Sequence, residues 1–189
     1  MAGQVPQHLF CVMNGSVRVS ISSSDGQQFL LALLYSGYWF GEAAVTQSKS
    51  QVMEIWAETD AEVLLLPVAA VRTVARDYPV VYQRLFEELM RRSQLMYQLL
   101  AGMLFYSLKA RIAGRILFLL RDHGVSEPDG LTLDVKLSQV DFARMSMGSR
   151  QRVNKAFREW MHDGVIERRG DRYIIKDVAA LEKSLKIEG

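Results

Sequence analysis

The sequence predicts an α+β fold in which an antiparallel, jelly-roll-like β-roll is followed by one long helix and a C-terminal winged helix-turn-helix. Three observations support this prediction. Short strand-like segments separated by turn signals fill residues 1–78, and a heptad repeat of apolar residues runs through residues 79–107. Two short helical segments and a hairpin pattern follow within residues 108–189. These three ranges are the predicted domains.

The composition is that of a globular protein. Hydrophobic residues make up 49% of the 189 residues and charged residues 23%, which excludes a disordered or collagen-like chain. The single cysteine, Cys11, excludes an intrachain disulfide and an iron–sulfur cluster held by four thiolates, and we expect it to be a small buried side chain. No apolar run approaches the ~18 residues that span a bilayer, so we expect a cytoplasmic protein without membrane association.

Charge is distributed unevenly along the chain. Residues 1–78 contain 4 Lys or Arg against 7 Asp or Glu, whereas residues 107–189 contain 16 against 12. The densest basic stretch, from Arg144 to Arg158, has five positive residues and no acidic one. A polyanionic partner would therefore bind the second half of the chain.

Turn residues separate the segments of the predicted roll. HLFCVMNGSVRVSI is rich in β-formers, and Asn14-Gly15 within it predicts a tight turn. The sequence SDG predicts a second turn before the apolar run FLLALLY, and VMEIWAET and AEVLLLP add two strands. Residues 68–77 predict a short helix that ends before Pro79.

The period then changes to that of a long helix. Its apolar seam has one polar break, at Arg92, and consists of Leu85, Leu89, Arg92, Met96, Leu99, Met103 and Tyr106. A helix of about 27 residues is roughly 40 Å long, which is more than a domain of this size can cover alone. We therefore expect the same helix of a second copy to pack against it, giving a homodimer.

The remaining segments predict the winged helix-turn-helix. LKARIAGRILFLLRDHG is an amphipathic helix ended by Gly124, and LTLDVKL alternates as a strand. SQVDFARM and SRQRVNKAFREWMHDG predict two helices separated by the turn Ser146-Met147-Gly148. VIERRGDRYII predicts a hairpin that turns at Gly170-Asp171.

The second helix of this motif carries the main functional prediction. Ser149 is a suitable N-cap, and the helix then presents Arg150, Gln151, Arg152 and Lys155. Side chains at the start of a recognition helix reach base edges in the major groove, where Arg pairs with guanine and Gln with adenine. We expect Arg169 on the wing to contact phosphate. The alternative is an interaction module whose winged helix binds protein rather than DNA.

At this point the sequence resembles the Crp/Fnr transcription regulators. GSVRV, SGYWFGE, a long helix, KARIAGRILFLL and SRQRVNKAF follow one another in the order of that family. The resemblance implies a cyclic-nucleotide-binding-type β-roll, a dimerising helix and operator binding as a homodimer. The base-contacting positions of the family fall on Arg150, Gln151 and Lys155. Met147-Gly148 departs from the usual Gly-then-apolar turn, and Arg152 stands where Thr is common.

The resemblance also raises the question of where the chain begins. Family members have a helix and further strands ahead of the stretch that resembles HLFCVMNG, and this sequence lacks them. Either the chain is a fragment or its true start lies upstream. An incomplete roll would leave a sheet edge unpaired.

The predicted effector site departs from the cyclic-nucleotide-binding type. In such relatives a Gly-Glu pair holds the ribose and an Arg about ten residues later holds the phosphate. Gly41-Glu42 is present, but the Arg position falls on Gln51, whose neutral side chain cannot compensate a phosphodiester charge. Met96 and Tyr97 stand where the long helix would contact the base.

A cyclic nucleotide is therefore possible but disfavoured, and an apolar or aromatic effector, or none, suits the Met and Tyr lining better. Glu42 could instead form a structural ion pair with Arg92 or Arg91. The scattered His8, His123 and His162 show no haem-ligand spacing, and there is no motif for an enzyme or a metal site. RNA polymerase is a further expected partner for a regulator of this kind.

Overall fold

Two three-stranded antiparallel sheets form the roll, as seen in a computed structural model that describes residues 7–45 and 53–185. The first sheet has the order β4-β1-β6 and the second has the order β3-β2-β5. Their strands are β1 (His8–Asn14), β2 (Ser16–Ser22), β3 (Gln28–Tyr35), β4 (Trp39–Phe40), β5 (Glu54–Ala57) and β6 (Glu62–Pro67). The predicted antiparallel β-roll is confirmed.

The chain changes sheets at Asn14-Gly15 instead of closing a hairpin there. Strands β1 and β2 follow each other directly but do not pair. Gly15 has φ 73°, and a Cβ at this position would lie 2.1 Å from the carbonyl oxygen of Asp60. Next to it, the Ser16 amide donates to Thr59 Oγ1 at 3.0 Å. The predicted turn residue is therefore required, but it turns the chain from one layer of the roll into the other.

The roll core lies between the two sheets. Its buried members are Val12, Val17, Val19, Leu34 and Phe40. Beside them Cys11 is a buried free thiol, as predicted from its apolar neighbours. Strands β5 and β6 each pair on one side only within the described residues.

Two helices follow the roll. Helix α1 (Val68–Asp77) ends just before Pro79, as predicted, and α2 (Val80–Phe105) is the long helix. Its 26 residues span about 39 Å. Within the single chain α2 fully buries none of its residues, so much of its apolar seam remains accessible. Leu89, Met96 and Met103 of that seam are all more than a third exposed.

The chain divides inside α2 into two compact units, residues 1–97 and 98–189, which are described separately. The described residues of the second unit contain four further helices and a four-stranded antiparallel sheet with the order β7-β8-β10-β9. Its elements are α3 (Leu108–His123), β7 (Gly124–Glu127), β8 (Gly130–Leu133), α4 (Gln139–Ser146), α5 (Arg150–His162), β9 (Ile166–Arg169), β10 (Arg172–Ile175) and α6 (Val178–Lys183).

Most elements of this unit match the sequence prediction, but α6 was not predicted and two other elements differ. Gly124 ends α3 as predicted, but it also begins β7, which the sequence analysis missed. The predicted strand at residues 131–137 is shorter, because the ladder of β8 ends at Leu133. Val135 and Leu137 are nevertheless buried. The alternating pattern of this segment therefore indicated which side chains are buried and not where the strand pairs. No helix in the described part of the chain is long and apolar enough to cross a membrane.

Candidate nucleic-acid interface and effector region

Reciprocal capping begins α4, and one unusual backbone conformation forms the turn between α4 and α5. Ser138 Oγ accepts from the Asp141 amide at 3.2 Å, and Asp141 Oδ2 accepts from the Ser138 amide at 2.9 Å. Helix α4 ends at Met147, which has φ 51° and ψ 46° in the left-handed region. A Cβ on Gly148 would lie only 2.5 Å from Leu108 Cδ1. The glycine therefore makes room for α3, and methionine takes the strained position.

Helix α5 is anchored by one buried face. Its N-cap is Ser149, whose hydroxyl accepts from the Arg152 amide at 3.4 Å. Val153 and Phe157 are fully buried, and the Phe157 ring lies 4.8 Å from that of Tyr173, centroid to centroid. Phe142 of α4 is fully buried as well. This packing fixes which side of α5 faces away from the domain.

The opposite side of α5 is basic and exposed. Arg150, Gln151, Arg152, Lys155 and Arg158 are all exposed. None of the four cations among them has a carboxylate within 4 Å in the described parts of the chain. Exposed guanidinium and ammonium groups on a helix that is held by its buried face attract polyanions, and their N–H groups are hydrogen-bond donors for base edges or phosphates.

Two polar contacts that the sequence analysis missed hold the helices of this motif together. Asn154 Nδ2 donates to Gln139 Oε1 at 2.8 Å and so links α5 to α4. Arg115 Nε of α3 donates to the Met145 carbonyl at 3.1 Å, and burial lowers the pKa of this arginine to about 10. The amphipathic pattern placed Arg115 on a helix but gave no sign that it would be buried.

The wing has a different electrostatic character. Arg169, the predicted phosphate contact, lies 3.0 Å from Asp129, 3.0 Å from Glu167 and 3.9 Å from Glu127. The hydrogen bond with Asp129 is the main reason that the pKa of Arg169 is raised. Its neighbour Arg168 is exposed and donates Nε to a carbonyl within the hairpin at 3.1 Å. The charge of Arg169 is thus already balanced by carboxylates.

In the first unit, the predicted effector residues Gly41 and Glu42 lie beside α2. Gly41 has φ 88°, and a Cβ there would approach the Phe10 ring to 2.8 Å. Arg92 Nη1 donates to Glu42 Oε1 at 2.7 Å, and Nη2 of the same guanidinium donates to the Trp39 carbonyl. The structural ion pair proposed from the sequence is confirmed. Glu42 therefore carries a protein partner where a ribose hydroxyl would be expected.

Two other predicted effector residues lie further along α2. Met96 and Tyr97 are exposed, the latter by 70%. Neither residue lines the apolar groove that lies between the roll, α1 and the start of α2. Gln51 lies outside the described residues.

The first unit also has a groove that the sequence analysis did not foresee. It has a volume of about 940 Å³ and lies between the roll, α1 and the start of α2. Tyr38 and Trp39 from the roll, Val71 from α1 and Val81 and Leu85 from α2 are among its lining residues. The lining is mainly apolar. Leu85 of the α2 seam is part of this lining, so it has apolar neighbours within a single chain.

The histidines are dispersed over the structure. His8 lies in β1, His123 at the end of α3 and His162 at the end of α5. Within residues 7–45 and 53–185, no group of three or more His, Cys, Asp and Glu side chains could hold a metal ion.

Comparison with known families agrees with this architecture. Residues 1–78 match the cyclic nucleotide-binding domain, and residues 110–184 match the Crp-like helix-turn-helix domain. The two matches occur in the order that the β-roll and the winged helix have in this chain. The chain belongs to the Crp/Fnr family of transcription regulators.

Similar proteins with assigned functions are regulators of the same family. A CRP-like cAMP-activated global transcriptional regulator of Mycobacterium tuberculosis is 25% identical over 181 residues, which cover 96% of this chain and 81% of that protein. The cAMP-activated global transcriptional regulator CRP of Pasteurella multocida is 24% identical, over 92% of this chain and 83% of its own length. These Crp/Fnr relatives are described as regulators, and their names state no enzymatic activity.

Solved structures give the same result. A CRP-family transcriptional regulator of Thermus thermophilus has a TM-score of 0.78 at 26% identity, covering 98% of this chain and 91% of that one. FixK2 of Bradyrhizobium japonicum has a TM-score of 0.85 at 16% identity, covering 99% and 91%. The predicted Crp/Fnr fold, a β-roll with a winged helix-turn-helix, is confirmed.

Proposed function

We propose that this regulator binds an inverted-repeat DNA operator as a homodimer, with α5 in the major groove, under control of a small effector. The observation that carries the proposal is the exposed face of α5, where four cations have no carboxylate within 4 Å in the described residues. On the wing, by contrast, Arg169 lies 3.0 Å from both Asp129 and Glu167. This distribution favours a polyanion over a protein partner.

Each residue at the start of α5 has a proposed role. Arg150 is suited to bidentate bonds with O6 and N7 of guanine, and Gln151 to N6 and N7 of adenine. Lys155, one turn further on, would reach the neighbouring base. The Ser149 hydroxyl caps the helix and would lie beside the phosphate backbone of the DNA. These side chains need no new backbone conformation, because their helix is fixed by its buried face.

The wing would add sequence-independent contacts. To bind DNA, Arg169 would have to give up a carboxylate partner for a phosphate, which reduces its net contribution to DNA affinity. Arg168 lies on the same strand, is exposed and has no carboxylate within 4 Å in the described chain. We therefore propose that the two arginines share the phosphate contact predicted for Arg169 alone.

The long helix supports the homodimer. The predicted domains are a roll at residues 1–78, a dimerisation helix at 79–107 and a DNA-binding domain at 108–189. Because α2 fully buries none of its residues within one chain, a second copy would cover the part of its apolar seam that remains accessible. Two-fold symmetry of the protein would then impose an inverted repeat on the operator.

A cyclic nucleotide is disfavoured as the effector. Glu42 is already paired with Arg92, and Gln51 supplies no charge for the phosphate. An apolar or aromatic effector remains the proposal. Because the chromosome is the proposed target, we place the regulator in the bacterial cytoplasm, where RNA polymerase would be a further partner.

Selection of bound DNA from a random pool by the full chain tests this function. We expect an inverted repeat whose half-site centres are roughly 34 Å apart. Binding should weaken steeply as salt rises, because phosphate contacts release counterions. A chain in which Arg150 and Lys155 are both replaced by Ala is the matched control and should enrich no repeat. If the wild-type chain enriches no sequence and its binding is insensitive to salt, the winged helix binds protein instead.

A further inference from the structure

An arginine outside the recognition helix has an unsatisfied buried donor. Arg111 lies in the second turn of α3, and its Nε atom is buried without a hydrogen-bond partner in the described residues. Buried polar atoms in native proteins nearly always have a partner, and a donor without one is costly. The rest of the side chain is only partly buried, so an external acceptor could reach the guanidinium.

A second arginine, Arg152, adds positive charge near Arg111, which favours binding of an anion there. Burial lowers the pKa of Arg111, and the positive charge of Arg152 in α5 lowers it further. Neither residue has a carboxylate within 4 Å in the part of the chain that the structure describes. Two like charges are therefore held near each other without a counter-charge.

The fold brings these two residues together through a close contact. The start of α3 packs against the α4–α5 turn, where a Cβ on Gly148 would lie 2.5 Å from Leu108 Cδ1. Arg111 follows Leu108 by one helical turn, and Arg152 follows Gly148 by four residues. This packing places Arg111 and Arg152 on neighbouring elements of the same motif.

We propose that Arg111 and Arg152 together bind one phosphate of the DNA backbone beside the base-reading side chains of α5. This inference rests on the proposed DNA-binding function and adds a residue of α3 to it. Guanidinium forks match phosphate oxygens with two parallel hydrogen bonds, and arginine stays charged when partly desolvated. A backbone phosphate carries no base identity, so this contact fixes the position of α5 in the groove without selecting a sequence.

The test compares Arg111→Met with Arg121→Met in the full chain. Both residues belong to α3, but Arg121 lies at the far end and pairs with Asp122 at 3.3 Å. DNA affinity is measured by fluorescence anisotropy at several salt concentrations, on the selected operator and on random duplex. We expect Arg111→Met to weaken binding about tenfold on both DNAs and to reduce the salt slope by about 0.9 for each half-site. Arg121→Met should leave both quantities unchanged.

A second measurement separates loss of a contact from loss of the fold. Without DNA, Arg111→Met should raise the melting temperature, since it removes a desolvated donor and its repulsion from Arg152. Arg152→Met should weaken DNA binding similarly, and the double variant should lose less than the two single losses combined, because one phosphate is shared.

The possible outcomes separate failure of the Arg111–Arg152 phosphate site from failure of the proposed DNA-binding function. If the wild-type chain binds no DNA, both are wrong. If it binds an operator and Arg111→Met binds equally well with an unchanged salt slope, only the arginine pair is wrong. If inorganic phosphate stabilises the wild-type chain but not Arg111→Met, while DNA binding is unaffected, the pair binds free phosphate and the assignment to DNA is overturned.

Discussion

Arg92 Nη1 donates to Glu42 Oε1 at 2.7 Å and so ties the long helix α2 to the roll, 50 positions earlier in the chain. Its Nε also donates to Glu88 Oε1 at 3.1 Å. Only 27% of the Arg92 side chain and 26% of the Glu42 side chain are exposed, so the pair is partly shielded from solvent. The one polar residue in the heptad seam is therefore explained by a contact within the chain.

Replacement of Arg92 should reveal the strength of this pair. Arg92→Met leaves Glu42 partly buried without its partner, and we expect it to lower the free energy of unfolding by about 1–2 kcal/mol. The neighbouring Arg91 pairs with Glu88 but is about half exposed, so Arg91→Met should change stability by less than about 0.5 kcal/mol. Urea unfolding of both variants measures the difference, and equal effects would show that the Glu42 pair contributes nothing specific.

The turn between α4 and α5 should respond oppositely to two neighbouring substitutions. Met147 has φ 51° and a half-exposed side chain, so Met147→Gly should stabilise the fold by roughly 1 kcal/mol by relieving backbone strain. Gly148→Ala should destabilise it by about 1–2 kcal/mol, because the new Cβ would press on buried Leu108. Thermal unfolding followed by circular dichroism measures both. A loss of stability in Met147→Gly would mean that the left-handed backbone there is not strained.

The dimer should depend on the α2 seam. Replacing Leu99 and Met103 together with Glu would place charges in the proposed interface, and we expect monomers in sedimentation velocity. The control replaces Gln94 and Gln98, which are exposed and off the seam, with Glu and should leave a dimer. A persistent dimer in the first variant would locate the interface elsewhere.

Cyclic AMP should not bind with useful affinity. Glu42 is occupied by Arg92, and the position of the phosphate-binding arginine holds Gln51. A ligand at a hundredfold excess over its dissociation constant adds about 2.7 kcal/mol of stability, which a melting curve detects easily. Millimolar cAMP should therefore leave the melting temperature unchanged, while the cAMP-activated Mycobacterium tuberculosis relative serves as the positive control. A clear rise in the present chain would contradict the proposed loss of the nucleotide site.

Much of the fold was predictable because its signals are local. The 3.6-residue period gave α2 and α5, and Pro79 marked the break between α1 and α2. Ser149 and the turn at Gly170-Asp171 were likewise recognisable from residue type alone. These features depend on neighbours in sequence, which is the information that a single chain displays.

What could not be predicted depends on contacts distant in sequence. Gly15 is needed because the carbonyl of Asp60 approaches it, and nothing in the segment around Asn14 indicates that approach. The three carboxylates around Arg169 come from two different strands and a loop, so a basic run in the sequence became a compensated site on the wing. The boundaries of the three domains remain predictions, as do the residues assigned to DNA binding and to effector binding.

The central claim is that α5 reads bases in the major groove, and its most direct test is the affinity of Arg150→Ala for operator and for random DNA. We expect a loss of about 1–3 kcal/mol per half-site on the operator, a relaxed preference at one base pair and little change on random duplex. Arg169→Ala serves as the comparison, because a wing contact to phosphate should weaken both DNAs alike and lower the salt slope by at most about one. If Arg150→Ala instead loses affinity equally on both DNAs, Arg150 contacts no base and α5 does not lie in the groove as proposed.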